Sequence, residues 1–309
     1  MTSPRVSVVL PTYNRAATLR RAIGSVLAQT FGDLELIVVD DGSTDETAAI
    51  VAAIGDPRIV YTRHGRPSGV SAARNAGVAI ARGELIAFQD SDDEWLLEKL
   101  ARQVELIDRL GPEYALVGGT ALRYIGGPLI SVRWPLAGEG PDVDREAFLN
   151  GLVAYMQSAL FRRTCLQAVG GFDETMSRSE DWELCLRLMA THRLAAIADP
   201  VVVSYEMPGS LTAQHDLKRV ALRYALAKHA DLLAAHPPAH ANVLFEIAKA
   251  DFYCGETADG RRATLKAAML QPLRMRAWLL LAASLFGGSL LMGGVSLYRR
   301  TKFRLNLYR

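Results

Sequence analysis

Leu34-Glu35-Leu36-Ile37-Val38-Val39-Asp40-Asp41-Gly42-Ser43 is a short apolar run that ends abruptly on two carboxylates and a glycine. A β-branched run of that length, closed by turn formers, has the pattern of a buried strand. Upstream, residues 6–10 form a second such run, halted at Pro11, and Leu19, Ile23, Val26 and Leu27 between the two follow helical spacing. Downstream, Ser43 with Glu46 three residues later has capping-box form and predicts that the next helix starts there. Residues 58–62 and 84–89 read as further strands; residues 71–82 and 95–110 read as helices stopped by Gly83 and by Gly111-Pro112. This alternation implies an α/β fold, with a mainly parallel sheet flanked by helices and right-handed crossovers. Ligands of such sheets bind beyond the carboxyl ends of the strands, so the informative residues are those that follow each strand.

The pattern loosens from residue 115. Residues 115–119, 156–161 and 201–205 read as strands, with a Gly/Pro-rich loop at 126–142 and a helix over Glu180–Thr191. Past Gln214 the chain is alanine-rich and helical, interrupted at Pro237-Pro238. The expected organisation is an α/β domain over residues 1–213 and a helical C-terminal extension over 214–309.

Half of the 309 residues are apolar and 22% are charged, which is globular composition and excludes disorder. The three cysteines, Cys165, Cys185 and Cys254, form no CxxC pair. That odd count argues against a disulfide scaffold or a thiolate zinc site and favours a reducing compartment. Of the 35 Lys and Arg residues, ten lie from Arg261 onward without a single acid, which leaves 25 against 33 acids in the rest. An acidic body with a basic, apolar tail is poorly matched to nucleic acid and fits an anionic membrane surface. The first ten residues hold no extended apolar stretch before a cleavage site, so no secretory signal is expected and the body is expected in the cytosol.

The second carboxylate group is Asp90-Ser91-Asp92-Asp93, after the strand at 84–89. Asp90 and Asp92, two apart in an extended segment, point the same way. Gathering anions is costly unless a cation joins them, and Mg²⁺ or Mn²⁺ held by one or two carboxylates plus diphosphate oxygens supplies that charge. The alternative is that Asp92 or Asp93 caps the helix through Trp95. Neither GxGxxG nor GxxxxGK[ST] occurs, which disfavours a Rossmann dehydrogenase and removes P-loop chemistry. Tyr13 suits the face of a nucleobase, and Asp40 suits a ring N–H; Tyr13 as a loop-packing aromatic and Asn14 as a helix cap are the bland readings.

Five motifs now stand in order: residues 7–15 (SVVLPTYNR), 39–45 (VDDGSTD), 73–77 (ARNAG), 88–93 (FQDSDD), and Gly170-Gly171-Phe172-Asp173 with Glu180-Asp181-Trp182. Together, over about residues 5–210, they resemble the inverting family-2 glycosyltransferases of GT-A fold. The resemblance implies that Pro11, Thr12, Tyr13, Asp40 and Arg74 hold the nucleotide of an activated sugar. By the same resemblance Asp90 lies near the ribose, Asp92 of the DXD motif binds Mn²⁺ or Mg²⁺, and Asp181 is the general base. Inversion needs one carboxylate to take the acceptor hydroxyl's proton, and no covalent nucleophile. Spacing alone does not separate Asp181 from Glu180, and the dipole at a helix start lowers a carboxylate pKa, so the base would gain its basicity by desolvation when acceptor binds. Arg74 as a solvated helix arginine, and Trp95 and Trp182 as core, are the competing structural readings. The Gln-x-x-Arg-Trp motif of processive synthases is absent, which implies non-processive transfer. Where relatives often carry a basic residue after the last strand, this chain has Tyr205-Glu206-Met207. His215 has two readings, a metal or diphosphate contact and a surface residue at a helix start.

Implied partners are a nucleotide-diphosphate sugar (hexosyl type) and a glycan or lipid-linked acceptor in polysaccharide or glycoconjugate assembly. Residues 277–298 carry no charge and are flanked by cations; as a helix they would reach about 33 Å. The readings are an in-plane anchor at the cytosolic face, a span, or a helix buried in the body or in a homo-oligomer. Two rival functions remain at this stage, a nucleotidyltransferase acting on sugar phosphates and a non-catalytic nucleotide-sugar-binding scaffold. The first lacks the glycine-rich, lysine-bearing N-terminal loop it would need.

Overall fold

The computed structural model describes residues 3–124, 129–137, 140–151, 155–205 and 215–285. The chain divides into two compact units, one of Met1–Arg145 with Ala154–Met207, the other of Glu146–Val153 with Pro208–Arg309.

The first unit is built on a mixed sheet. Its strands are β1 (Val6–Thr12), β2 (Leu34–Asp40), β3 (Ile59–Arg63), β4 (Leu85–Phe88), β5 (Glu94–Trp95), β6 (Tyr114–Tyr124), β7 (Leu129–Val132), β8 (Leu160–Arg162) and β9 (Arg193–Tyr205). They run in the order β3-β2-β1-β4-β8-β6-β9-β5, with β7 on β6. The β3-β2-β1-β4 portion is parallel, β8 is antiparallel to both neighbours, and β6 and β9 are parallel to each other. β1 and β2 are buried along their whole length because helices cover both faces, which is why they read as continuous apolar runs. On one face Val6, Val8, Leu10, Leu36 and Val38 pack with Leu19, Ile23 and Val26 of α1 (Ala16–Leu27). On the other lies α3 (Val70–Ile80), so close that a Cβ on Gly77 would stand 2.3 Å from Val9 Cγ1. The register sets Thr12 beside Asp40 and Asp40 beside Arg63, so the carboxyl ends of β1, β2 and β3 form one rim.

Several expectations are corrected. The helix after β2, α2, covers Thr47–Ile54 and its cap at Glu46 makes no side-chain bond. Ser43 instead donates its N–H to Asp40 and accepts from Asn14 N, while Asp45 accepts from Thr47 N (3.1 Å), so the capping box yields to bonds within this loop and with the turn that follows β1. Trp95 is not helical: Glu94 and Trp95 pair with Val203 and Val202, and the helix, α4, is Lys99–Arg109. The loop at 126–142 contains β7, and residues 156–158 form a 3-10 turn before β8. β9 begins at Arg193, eight residues ahead of the expected strand, continuing through register shifts against β6. Helices α6 (Arg163–Ala168) and α7 (Glu180–Thr191) complete the unit.

The second unit is helical among its described residues: α5 (Arg145–Gly151), α8 (His215–Lys228), α9 (Ala230–Ala235), α10 (Pro237–Tyr253), α11 (Thr257–Leu270) and α12 (Met275–Leu285). Pro237-Pro238 starts α10, where a missing N–H costs nothing. α10 carries one buried and one half-buried acid matched by cations: both oxygens of Asp251 accept from Arg223, and Glu246 accepts from Lys218 and Lys249. Burial alone would raise Glu246, but the two ammonium groups outweigh it and hold its pKa at about 2.

Candidate active site

Thr12 closes β1 and Tyr13 projects from the rim, 46% exposed, on a turn locked by Asn14. Asn14 adopts φ 51°, a left-handed conformation that asparagine tolerates, and its Oδ1 accepts from Thr44 N. The Thr12 hydroxyl is buried without a partner among the described residues. Asp40 is sealed beneath, accepting from Ser43 N (2.7 Å) and Tyr61 Oη (2.6 Å). Those bonds leave carboxylate lone pairs over for a further donor.

Asp41, to which the sequence assigned no role, is tied to the β3–α3 connection. It accepts from Ser68 N and Oγ and Gly69 N, and lies 2.8 Å from His64 Nδ1. Burial raises its pKa, but these hydrogen bonds, led by the Ser68 hydroxyl, outweigh that and lower it. The loops beyond β2 and β3 are thereby fastened together.

Past β4, Gln89 donates to Asp93 O and shapes the acidic turn. Asp90 accepts from Arg74 at 3.0 Å; Asp92 faces Arg15 at 3.9 Å, and its carbonyl accepts from Arg21. Asp93 turns inward, accepting from Gln157 Nε2 and from Tyr205 N (2.9 Å). Burial, then the charge of Asp90, raises both Asp92 and Asp93, the latter to about 7. Because the following helix starts at Lys99 with no side-chain cap, helix capping does not account for these acids.

Arg74 is almost wholly buried and bridges two segments, donating to Asp90 and, at 2.7 Å, to Glu180 Oε1 of α7. Its guanidinium lies 5.2 Å over the Phe172 ring, and Nε has no partner among the described residues. Next to it, Asn75 exchanges two hydrogen bonds with the Phe172 backbone, and Gly171 (φ 69°) sits where a Cβ would meet Asn75 Oδ1 at 2.6 Å. The ARNAG and GGFD motifs thus clasp each other. Arg74, expected on a nucleotide, pairs in this structure with the carboxylates of Asp90 and Glu180.

Asp181 follows on the first turn of α7, bonded to Trp182 N at 2.7 Å. Burial raises its pKa to about 7, the charge of Glu180 adds to this, and Arg74 opposes it. The raised basicity thus exists before any acceptor arrives. Trp95 and Trp182 are core. His215 opens α8 and stacks on Tyr253 at 4.0 Å. Glu206, Met207 and residues 286–298 of the apolar run lie outside the described residues.

The donor set fits a hard divalent ion. Asp90 and Asp92 are close enough for one to raise the other, and hard oxygen donors are what Mg²⁺ and Mn²⁺ take. No three His, Cys, Asp or Glu residues among the described ones form a metal cage. These ions need only one or two carboxylates when phosphate oxygens complete the shell.

Comparison with known proteins matches residues 7–170 to the model of glycosyl transferase family 2. The chain belongs to that family. The family match takes in Pro11 through Asp92 and ends before Glu180-Asp181. The succinoglycan biosynthesis protein ExoO of Rhizobium meliloti (strain 1021) is 35% identical over 195 residues, 60% of this chain and 56% of that one. The Escherichia coli UDP-Glc:alpha-D-GlcNAc-diphosphoundecaprenol beta-1,3-glucosyltransferase WfaP is 38% identical over 103 residues, 33% of this chain and 41% of that one. The chain thus spans about half the length of the curated relatives it matches. In fold, this family-2 chain resembles Staphylococcus aureus TarS 1-349 in complex with UDP-GlcNAc, with a TM-score of 0.65 at 20% identity over 96% of this chain and 92% of that one. It also resembles the mannosyltransferase PcManGT of Pyrobaculum calidifontis in complex with GDP-Man and Mn²⁺, with a TM-score of 0.59 at 22% identity over 100% and 85%. These likenesses establish a GT-A fold for the family-2 chain.

Proposed function

We propose that the chain transfers a sugar from a nucleoside-diphosphate sugar to an acceptor hydroxyl in one inverting, metal-dependent, non-processive displacement. The observation that carries this reading is Asp181, poised near pH 7 and bound through Glu180 and Arg74 to the Asp90-Ser91-Asp92 turn. Pro11, Thr12 and Tyr13 receive the nucleotide, with Asp40 accepting from the base and Asp90 beside the ribose. Asp181 takes the acceptor proton as that oxygen attacks the anomeric carbon, and the bond to the diphosphate breaks on the opposite side. Asp92 with Asp90 would hold Mn²⁺ or Mg²⁺, which would supply positive charge to the departing diphosphate. Arg74 acts by positioning Asp90 and Glu180.

The names of the two curated relatives support polysaccharide assembly with a glycan or lipid-linked acceptor, and work at the cytosolic face of a membrane is part of the same proposal. The test is thermal unfolding with UDP-glucose, UDP-GlcNAc and GDP-mannose, with and without Mn²⁺. At least one donor should raise Tm only with Mn²⁺, by an amount equivalent to about 2.7 kcal/mol at 100 times its Kd. Asp92→Ala should remove the metal-dependent part. Absence of any shift, or a shift indifferent to both metal and Asp92, contradicts the reading.

A further inference from the structure

Seven of the sixteen large apolar side chains exposed among the described residues lie between Leu265 and Leu285. They gather where α11 turns into α12. Met269 is in the last turn of α11, Leu273 in the connection, and Met275 and Leu279 in the first turns of α12; Leu273 is 94% exposed. α12 is apolar on both sides, burying Ala277 and Leu280 within its unit and presenting Met275, Trp278, Leu279 and Leu285 outward. A helix apolar all round is at rest only when both sides are covered. The Trp278 indole N–H donates to Pro272 O at 2.9 Å, fixing the ring beside the connection.

The charges along this stretch of the sequence have one sign. Lys266 and Arg274 are exposed, and from Arg261 onward the chain has no Asp or Glu. A second copy meeting this surface across a two-fold axis would set cations against cations. Exposed apolar side chains, a tryptophan at their edge and the exposed cations Lys266 and Arg274 are instead complementary to anionic headgroups above an acyl layer.

We propose that the α11–α12 corner docks on an anionic lipid surface. Met269, Leu273, Met275 and Leu279 enter the boundary between headgroups and acyl chains, and Lys266 and Arg274 lie against lipid phosphates. This goes beyond the sugar-transfer reading. Vesicle binding is measured without donor or acceptor, so either proposal can fail alone.

The test is co-sedimentation of the full chain with vesicles of phosphatidylcholine, or of phosphatidylcholine with one quarter phosphatidylglycerol, at low and high salt. A double variant, Met269→Ser with Leu273→Ser, changes exposed side chains only, and circular dichroism checks its fold. The wild type should partition to the anionic vesicles at least about tenfold more than to neutral ones, less so at high salt. The double variant should lose about tenfold or more, and Lys266→Glu should weaken binding further. Unchanged partitioning of the double variant overturns the proposal. So does a concentration-dependent dimer that the same variant abolishes without vesicle binding, because it assigns the corner to a second copy.

Discussion

Asp181 owes its proton affinity first to burial and second to Glu180 beside it, with Arg74 pulling the other way. Its carboxylate form is the base, so kcat/KM should fall as pH drops through about 7 and level off above it, a profile read directly from rates at saturating Mn²⁺. The stability sign is the reverse of a salt-bridged acid. A pKa raised in the folded state means that this group's contribution declines as pH climbs from about 4 towards 7. Asp181→Asn should therefore melt no lower than wild type at pH 8, which separates lost chemistry from lost folding. Arg74→Ala should behave differently, because it strands Asp90 and Glu180; the expected cost is about 3–5 kcal/mol in urea unfolding. At this scale the sequence marked Asp90, Asp92 and Asp181 through the strand ends and the motif order. It gave no sign that Arg74 serves the carboxylates, since that depends on which of its neighbours is buried. Asp41 and His64 were also hidden, being 23 residues apart and joined only across a loop.

Helix α3 connects the sheet to the site. Gly77 lets it lie against Val9 and Val39, which puts Arg74 and Asn75 within reach of β4 and of the segment before α7. Gly77→Ala would improve helix propensity by about 1 kcal/mol but drive a methyl into a stiff valine. The net should be a loss of about 1–3 kcal/mol in urea unfolding, with reduced turnover as α3 shifts. The strands of the parallel half were legible because they are buried on both faces, so their sequences are unbroken apolar runs. β5 and β7 were not, because two- and four-residue strands carry too few alternations to register. The helix expected from Trp95 starts four residues later because the backbone first pairs with β9, a contact over a hundred residues distant in sequence.

Across the whole molecule the charge divides as the fold does. Acids crowd the carboxyl rim of the sheet, where Asp92, Asp93 and Asp181 all bind protons more tightly than ordinary carboxylates. The cations past residue 260 stand without acids in an apolar stretch. An acidic rim that Arg74 and Arg15 compensate only in part is unfavourable by itself and becomes favourable when a divalent ion and a diphosphate share it. The central claim is that this rim and Asp181 together perform sugar transfer. The most direct measurement is nucleoside-diphosphate release from a panel of nucleotide sugars, with acceptor and Mn²⁺, by wild type and Asp181→Asn, alongside donor binding by calorimetry. Wild type should release diphosphate from at least one donor, and Asp181→Asn should bind that donor equally while its turnover falls by about 10²–10⁴. Equal turnover by the two proteins, or no release from any donor by wild type, would contradict the account.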